Sequence, residues 1–230
     1  MKLLAIETAT EACSVALWLD GEVRERFEVA PRRHTELVLP WADQLLAEAG
    51  IARAQLDAIA VGRGPGAFTG VRLAVALAQG MALALDKPVL PVSTLAALAL
   101  PARAPGSDVL AAIDARMGEV YLGWFHSDEL RGVVAVGPEW MAAPGSVCID
   151  AAKLVGVGSG FAAGDGALAE ALIGQMGLCD PLALPHAADI ARLGALAFER
   201  GEAIAPDRLE PAYLRDKVAL TLAEQGKGRG

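Results

Sequence analysis

One short segment recurs in the second half of the chain, and this repeat constrains the fold more than any other feature. Ile6-Glu7 closes an apolar run, and Ile113-Asp114 closes another one 107 residues later. At the same shift, without gaps, the apolar positions of the segments that follow also coincide. The coinciding positions are Val15 with Leu122, Leu17 with Trp124, Val23 with Leu130 and Val29 with Val136. The sequence therefore predicts a duplicated unit of three strands followed by a helix.

The first copy has the pattern of a β-meander followed by helices and strands in alternation. Its third strand is predicted to be half-exposed, with Val23, Phe27 and Val29 alternating with charged residues. Asp20-Gly21 is the hairpin turn that precedes it, and Gly50 ends the first helix. The predicted strands span 2–6, 13–20, 23–29, 59–61 and 89–92, and the predicted helices span 35–49 and 68–85.

A linker is predicted between the two copies. The stretch 101–108 combines two prolines, a glycine and polar residues, a composition typical of linkers. We therefore place a first lobe at 1–102, a second, shorter lobe at 103–204, and a C-terminal segment at 205–230, whose last residues, 224–230, we expect to be frayed. In the second lobe we predict a strand at 154–157, a helix over 167–176 that ends at Gly177, and a helix over 189–200 with Asp189 as its N-cap and Gly201 as its stop.

Charge and composition exclude several classes of function. The net charge is −8, which argues against nucleic-acid binding through bulk positive charge. The amino terminus reaches Glu7 after too few apolar residues for a signal peptide, and the apolar stretch 71–85 is too short for a membrane span. Three cysteines without a CxxC pair, and three histidines without a second one at i+3 or i+4, predict reduced thiols and no metal site.

Two features of the chain leave catalysis open as an alternative. The glycine-rich loop 62–70 joins a strand to a helix N-terminus, where an anion is favoured, but a tight turn with close packing explains the same glycines. Glu7 and Asp114 each end a buried strand and could organise a metal or a water in a cleft between two lobes. Neither strand end carries the glycines that a phosphate site needs.

The helix over 68–85 is apolar on nearly every side, which is unusual for a helix outside a sheet. Two explanations stay open. Either a partner chain packs on it or the helix is fully internal. The partner would contact Arg72, Val75, Ala76, Gln79 and Leu83.

Three stretches resemble the TsaB (YeaZ) family, the dimerization subunit of the bacterial tRNA threonylcarbamoyladenosine synthesis complex. They are residues 4–17, the loop 64–72 and residues 114–121, and the likeness returns at 210–215. The resemblance implies an α/β, actin-like (ASKHA, RNase H-like) fold of duplicated βββαβα lobes. It also implies a catalytic partner, TsaD, and an ATPase, TsaE. Where the catalytic relative has a His-x-x-x-His metal pair, this sequence has Thr94 and Leu98, which cannot replace imidazole ligands.

We therefore predict a non-catalytic, cytoplasmic scaffold that binds and activates TsaD, forms a homodimer when alone, meets tRNA only indirectly and uses no cofactor or metal. The reaction of the complex is the formation of N6-threonylcarbamoyladenosine at position 37 of ANN-decoding tRNAs. The alternative is a stand-alone actin-like ATPase or small-molecule kinase built on Glu7 and Asp114. The predicted partner-binding residues lie on the two helices of the first lobe. They are Leu37, Trp41, Arg72, Val75, Ala76, Gln79 and Leu83.

Overall fold

The computed structural model describes residues 1–104 and 106–215, which form eleven strands and five α-helices. Pro105 in the predicted linker and the predicted frayed tail lie outside the described residues. The strands are β1 Lys2–Glu7, β2 Ala12–Leu19, β3 Glu22–Val29, β4 Ala58–Gly62, β5 Val89–Val92, β6 Asp108–Arg116, β7 Glu119–Asp128, β8 Gly132–Ala135, β9 Trp140–Ala142, β10 Leu154–Val157 and β11 Met176–Asp180. The helices are α1 His34–Glu48, α2 Phe68–Leu85, α3 Thr94–Ala99, α4 Ala167–Ala171 and α5 Ala187–Glu199.

The strands form two sheets with the same order and the same directions. The first sheet runs β3-β2-β1-β4-β5, and the second runs β8-β7-β6-β10-β11 with β9 added beside β7. In each sheet the first three strands of the copy are antiparallel and the last two are parallel to its first strand. The predicted duplication is therefore confirmed at the level of strand order and direction.

The predicted shift of 107 residues holds for β2 and β7, but in β1 and β6 it matches a side chain in the core between the sheets with one on an outer face. Leu3 and Ala5 of β1 and Ala111 and Ile113 of β6 share one core between the sheets. Ile6, which the repeat matches with Ile113, belongs instead to the core beneath α1 and α2. In β2 and β7, by contrast, the matched side chains both lie in the cores on the outer faces of the sheets. Side chains alternate between faces along a strand, so a match that is wrong by one position reverses the face. The residue-by-residue match of the repeat is therefore wrong by one position in β1 and β6 and correct in β2 and β7, and the strands themselves are matched correctly.

α3 and α5 each pack on the sheet formed by the other half of the chain. α3 follows β5 in sequence but packs on β6, β7 and β8, whereas α5 comes from the second half and packs on β1, β2 and β4. Gly194 of α5 makes this approach possible, because a Cβ there would lie 2.8 Å from the Cβ of Ala60. The core shared by the sheets contains residues of both helices, including Leu95, Leu98 and Ile190. The two halves of the chain are thus interlocked through this core.

The first lobe follows the predictions closely, with differences in which side chains are buried. α2 and β5 have the predicted bounds, and Gly50 ends α1 with a φ of 66°. The buried face of α1 is formed by Val38, Ala42, Leu45 and Leu46, while Leu37 and Trp41 lie half-buried at its edge. β3 is half-exposed as predicted: Phe27 and Val29 are 37% and 54% exposed, and the Phe27 ring stacks on that of His186.

Two predictions for the second lobe are wrong. The helix predicted over 167–176 ends at Ala171, and Met176 and Gly177 begin strand β11. β11 finds a parallel partner in β10, and this pairing outweighs the helical pattern of a short apolar segment. The last helix starts at Ala187 after the N-cap His186, so Asp189 lies inside its first turn instead of capping it.

α2 has 18 residues and a mean hydropathy of 1.5, which meets the length and composition of a membrane span. A third of the helix is buried within the described chain, and the core helix of a soluble protein also meets these two criteria. One such helix is weak evidence for a membrane protein.

Candidate functional site

Glu7 ends β1 in a fully enclosed position and is 1% exposed. Its Oε1 accepts a hydrogen bond from the backbone N–H of Ala9 at 2.6 Å, and its Oε2 accepts one from Thr94 Oγ1 at 2.8 Å. Burial raises the pKa of Glu7 to about 7, although both hydrogen bonds act in the opposite direction. A side chain at Gly62 would overlap this carboxyl group, so β4 closes the space beside it. Other atoms of the chain therefore fill the space around the carboxyl group and bond to both of its oxygens.

Asp114 lies in a different environment, with its side chain 26% exposed. Its Oδ2 accepts from Arg116 Nη1 at 2.8 Å, and its Oδ1 accepts from the backbone N–H of Arg116 at 2.7 Å. Among the described residues no hydrogen bond or ion pair joins Asp114 to Glu7. The two acids that the repeat matched are therefore not brought together as a pair.

The glycine-rich loop 62–70 packs tightly against the turn after β1. A side chain at Gly66 would overlap the carbonyl oxygen of Ala9, and one at Gly70 would overlap that of Thr8. The loop's amides are also engaged: Ala67 N–H donates to Ala9 O at 2.7 Å, and Gly64 N–H donates to Thr94 Oγ1 at 3.2 Å. Close packing thus explains these glycines, as one of the two sequence interpretations held.

The positions aligned with the metal pair of the catalytic relative are structural here. Thr94 is buried and links Glu7 to the glycine-rich loop, and Leu98 is buried in the core between the sheets. In the part of the chain that the structure describes, no group of three or more His, Cys, Asp or Glu side chains is placed to hold a metal ion.

A cluster that sequence reasoning missed anchors α5 to the first sheet. Glu25 Oε1 accepts from Ser14 Oγ at 2.7 Å and from the backbone N–H of Ala188 at 2.9 Å, and its Oε2 lies 3.0 Å from His186 Nδ1. Ser14 Oγ also accepts from the N–H of Ala187. Burial acts to raise the pKa of Glu25, but these hydrogen bonds outweigh it and lower the pKa, while the bond to Glu25 raises that of His186.

The order of these groups differs from that of a hydrolase triad. A nucleophilic serine must bond to the imidazole, which the acid then orients. Here Ser14 bonds to the carboxylate instead, and Ser14 is fully buried. The cluster therefore caps the N-terminus of α5 with groups from β2 and β3, a role that no local sequence signal announces.

The outer face of α2 is exposed to solvent and carries both apolar and small residues. Phe68 is 52% and Leu83 65% exposed, and Ala76, Gly80 and Arg72 also face outward. The Arg72 guanidinium lies 3.6 Å from the centre of the Phe68 ring, and its Nε donates to the hydroxyl of Tyr213 at 2.9 Å. An apolar face with small residues and an oriented arginine is typical of protein contacts.

Two of the predicted partner-binding residues are engaged by the chain itself. Val75 is 5% exposed and packs in the core beneath α2, so it does not lie on this face. Gln79 is partly buried, and its Nε2 donates to the carbonyl oxygens of Pro206 and Leu209 at 3.0 Å each. The alternative of a fully internal α2 does not hold for the described residues, because the outer face is exposed.

A groove between α1 and α2 lies beside this face. It encloses about 220 Å³ and is mainly apolar, with the Arg53 and Asp43 ion pair at its edge. Leu37 and Trp41 of α1 do not line it, and they are half-buried against the core beneath the helices. The groove-lining residues are Leu4, Leu39, Ala42, Asp43, Leu46, Arg53, Leu56, Met81, Ala84 and Leu85.

Comparisons with known proteins agree with this architecture. The family model of TsaD, tRNA N6-adenosine threonylcarbamoyltransferase, matches residues 27–221. The tRNA threonylcarbamoyladenosine biosynthesis protein TsaB of Escherichia coli is 39% identical, over 95% of this chain and 96% of that protein. Its namesake in Haemophilus influenzae is 37% identical over 95% of both chains.

Solved structures show the same likeness. YeaZ from Pseudomonas aeruginosa superposes with a TM-score of 0.82 and 43% identity, covering 93% of this chain and 99% of that one. A crystal structure from the same organism, described as an uncharacterized protein with similarity to peptidase YeaZ, gives a TM-score of 0.85 at the same identity and coverage. The chain therefore belongs to the TsaB (YeaZ) family of tRNA threonylcarbamoyladenosine biosynthesis proteins, within the wider group that shares the TsaD domain.

Proposed function

We propose that this chain is a non-catalytic subunit that holds the catalytic subunit TsaD in its working arrangement. The complex would transfer threonylcarbamoyl to N6 of adenosine 37 in ANN-decoding tRNAs. The observation that carries the proposal is the exposed outer face of α2, with Phe68, Ala76 and Leu83 open to solvent beside the groove. A partner helix packed there would cover apolar surface that residues 1–104 and 106–215 leave exposed.

The enclosure of Glu7 supports a non-catalytic role. Gly62 and Thr94 fill the space around its carboxyl group, so a nucleotide or a metal has no approach to it without a rearrangement of the loop 62–70. A metal would also require further oxygen ligands beside this carboxylate. The proposal assigns the chemistry to TsaD and the support to this chain, with the ATPase TsaE joining them in the cytoplasm and tRNA meeting the chain only indirectly.

The same face would pair two copies of the chain when TsaD is absent. Ala76 and Gly80 lie on adjacent turns and allow close approach of another helix. TsaD and a second copy would then compete for α2, so added TsaD should dissociate the homodimer.

A charge substitution at two exposed positions tests this surface. Ala76→Glu with Leu83→Glu should abolish co-purification with the cognate TsaD, because the carboxylates would be desolvated in the contact. Leu130→Glu is the matched control, since Leu130 is 82% exposed on the second lobe, away from α2. Unchanged co-purification of a folded double variant would reject the α2 surface.

Binding of Mg-ATP tests the non-catalytic assignment. An actin-like ATPase or kinase must bind Mg-ATP, whereas a scaffold does not require it. We expect no saturable heat when the isolated chain is titrated with Mg-ATP in a calorimeter. Saturable binding that Glu7→Gln removes would favour the enzyme alternative.

A further inference from the structure

The segment that follows α5 crosses the molecule from the first lobe to the second. We call residues 204–215 the C-terminal strap. It begins beside β5, where Ile204 and Val89 exchange two backbone hydrogen bonds of 2.9 Å. It then passes along α2, where Gln79 binds two strap carbonyl oxygens and Leu209 is buried in the core beneath the helix. This part of the strap is firmly attached to the first lobe.

The middle of the strap contacts the glycine-rich loop. The N–H of Ala212 donates to the carbonyl oxygen of Arg63 at 2.8 Å. The side chain of Arg63 extends toward Glu139 of the second lobe, at 4.0 Å, and Glu139 also accepts a hydrogen bond from Ser93 at the start of α3. The strap therefore reaches the loop at the residue where the two lobes already meet.

The end of the strap is anchored to the second lobe by Arg215. Its Nη2 lies 2.9 Å from a Glu119 carboxylate oxygen and donates to the carbonyl oxygens of Ala115 at 3.1 Å and Arg116 at 3.3 Å. Its Nη1 contacts the sulfur of Met117. The side chain is only 15% exposed. One guanidinium thus holds most of the turn between β6 and β7.

That turn has a backbone that needs external support. Arg116 and Met117 have φ values of 63° and 58°, and Gly118 follows with 78°. The left-handed region costs a residue other than glycine about 1 kcal/mol or more, so such residues persist where surrounding contacts hold them. Arg215 supplies such contacts, because it donates hydrogen bonds to the carbonyl oxygens of Ala115 and Arg116 within the turn.

We propose that the C-terminal strap is a latch between the lobes, with Arg215 as its catch on the β6–β7 turn. Release of Arg215 frees both the strap end and the turn, and it uncovers the edge of the glycine-rich loop at Arg63. The latch is a property of the free chain, and it stands or falls independently of the proposed partner contact.

Hydrogen exchange of the full chain tests the latch. In Arg215→Ala, the amides of the turn 115–120 and of the strap 209–214 should both exchange about tenfold faster, because one partly buried ion pair and two hydrogen bonds are lost. Glu119→Gln removes the ion pair from the other side and should loosen the same two segments to a smaller extent. Arg200→Ala is the matched control, because Arg200 binds Glu202 through a similar pair that, among the described residues, makes no hydrogen bond to the strap or to the turn 115–120.

A second variant tests whether the strap transmits this effect across the lobes. Gln79→Ala removes two of the hydrogen bonds that attach the strap to α2, leaves the bond between Arg72 and Tyr213 in place, and loses no contact with the described residues of the second lobe. The latch predicts that the turn 115–120 then exchanges about threefold faster. Wild-type exchange of the turn in both Arg215→Ala and Gln79→Ala would overturn the latch, and so would an equal effect of Arg200→Ala.

Discussion

Both lobes contain a close contact between loop glycines and the backbone of the first strand or its turn, but the contact encloses an acidic side chain in one lobe only. In each lobe, the loop after the strand that pairs in parallel with the first strand of the lobe, β4 or β10, packs glycines against that first strand or the turn after it. Gly66 and Gly70 lie on Ala9 and Thr8, and Gly158 lies on Ala112. In the first lobe this packing encloses a carboxyl group, that of Glu7, whereas in the second lobe Asp114 stays at the surface. The close approach of loop and strand is thus common to both copies, and the acid is not.

The outer layers of the lobes differ as well. The first sheet is covered by α1 and α2, with 15 and 18 residues, whereas the corresponding face of the second is covered by short turns and the five-residue α4. Strand order survives because each strand depends on its neighbours for backbone hydrogen bonds. A covering helix has no such constraint. The long helices, and with them the proposed docking face, are present in one lobe only.

The largest expected effect concerns this close contact of loop glycines. Gly70→Ala and Gly158→Ala should each lower the free energy of unfolding by about 3 kcal/mol, because the added methyl group meets a backbone carbonyl oxygen that cannot move away. Gly80→Ala and Gly118→Ala are the controls in the same lobes with open space at the Cβ, and Gly118, like Gly158, has a positive φ, so alanine strains the backbone at both positions. Chemical denaturation measures all four. A large loss in one lobe only would show that the contact is not common to both lobes.

The second prediction separates the two acids by the pH dependence of stability. Glu7 has a pKa of about 7 in the folded chain against 4.5 when unfolded. The folded chain keeps this proton at a pH where the unfolded chain loses it. The stabilisation from the protonated carboxyl group is therefore fully present below pH 4.5 and is lost as pH rises through 7, and the free energy of unfolding falls by about 3 kcal/mol in all. Glu7→Gln resembles the protonated acid in its donor and acceptor and should flatten this slope.

Asp114→Asn provides the comparison for Glu7→Gln. It alters an exposed pair with Arg116 and should change the free energy of unfolding by less than about 1 kcal/mol at any pH. Urea denaturation between pH 5 and 8.5 measures both variants. An unchanged slope in Glu7→Gln would contradict the buried, proton-binding role of Glu7.

The third prediction weakens the attachment of α5 to the first sheet. Glu25→Gln should lower the free energy of unfolding by about 1 to 2 kcal/mol at neutral pH, since charge-assisted bonds at the start of the helix are lost. Glu28→Gln on the same strand loses an exposed pair with Arg33 and should cost less than about 0.5 kcal/mol. Equal effects in thermal melts would contradict the capping role of Glu25.

His186 adds a pH dependence to this cluster. Its pKa is raised by Glu25, so its stabilising contribution is complete below its unfolded value of 6.5 and is lost as pH rises through the higher folded value. Glu25→Gln should remove this dependence. Its cost should therefore be larger at pH 6 than at pH 9.

The local elements of the first lobe were predictable from sequence because their signals lie within a few residues. α2 and β5 have the predicted bounds, since an apolar run flanked by glycine or proline suffices to delimit each of them. The region 167–180 was not predictable in this way. Its short apolar pattern fits a helix or a strand, and β10 selects the strand by pairing with it.

The site depended on contacts that no local pattern contains. The enclosure of Glu7 needs Thr94, and the cap of α5 joins Glu25 to His186 across most of the chain. Val75 and Leu83 are equally apolar in sequence, yet one is buried and the other exposed, because the rotation of α2 on the sheet chooses its inner face.

The amino-acid pattern was sufficient for the duplication and for most elements of the first lobe, because alternation and spacing are properties of neighbouring residues. The family followed from the resemblance of a few stretches of sequence. The tertiary structure decided which side chains of β6 face the core between the sheets. It also decided that α3 and α5 pack on the sheet of the other half, and that the strap ends with Arg215 on the second lobe. Each of these depends on how elements far apart in sequence meet. A shift of one residue leaves a strand pattern almost unchanged but turns its side chains to the opposite face.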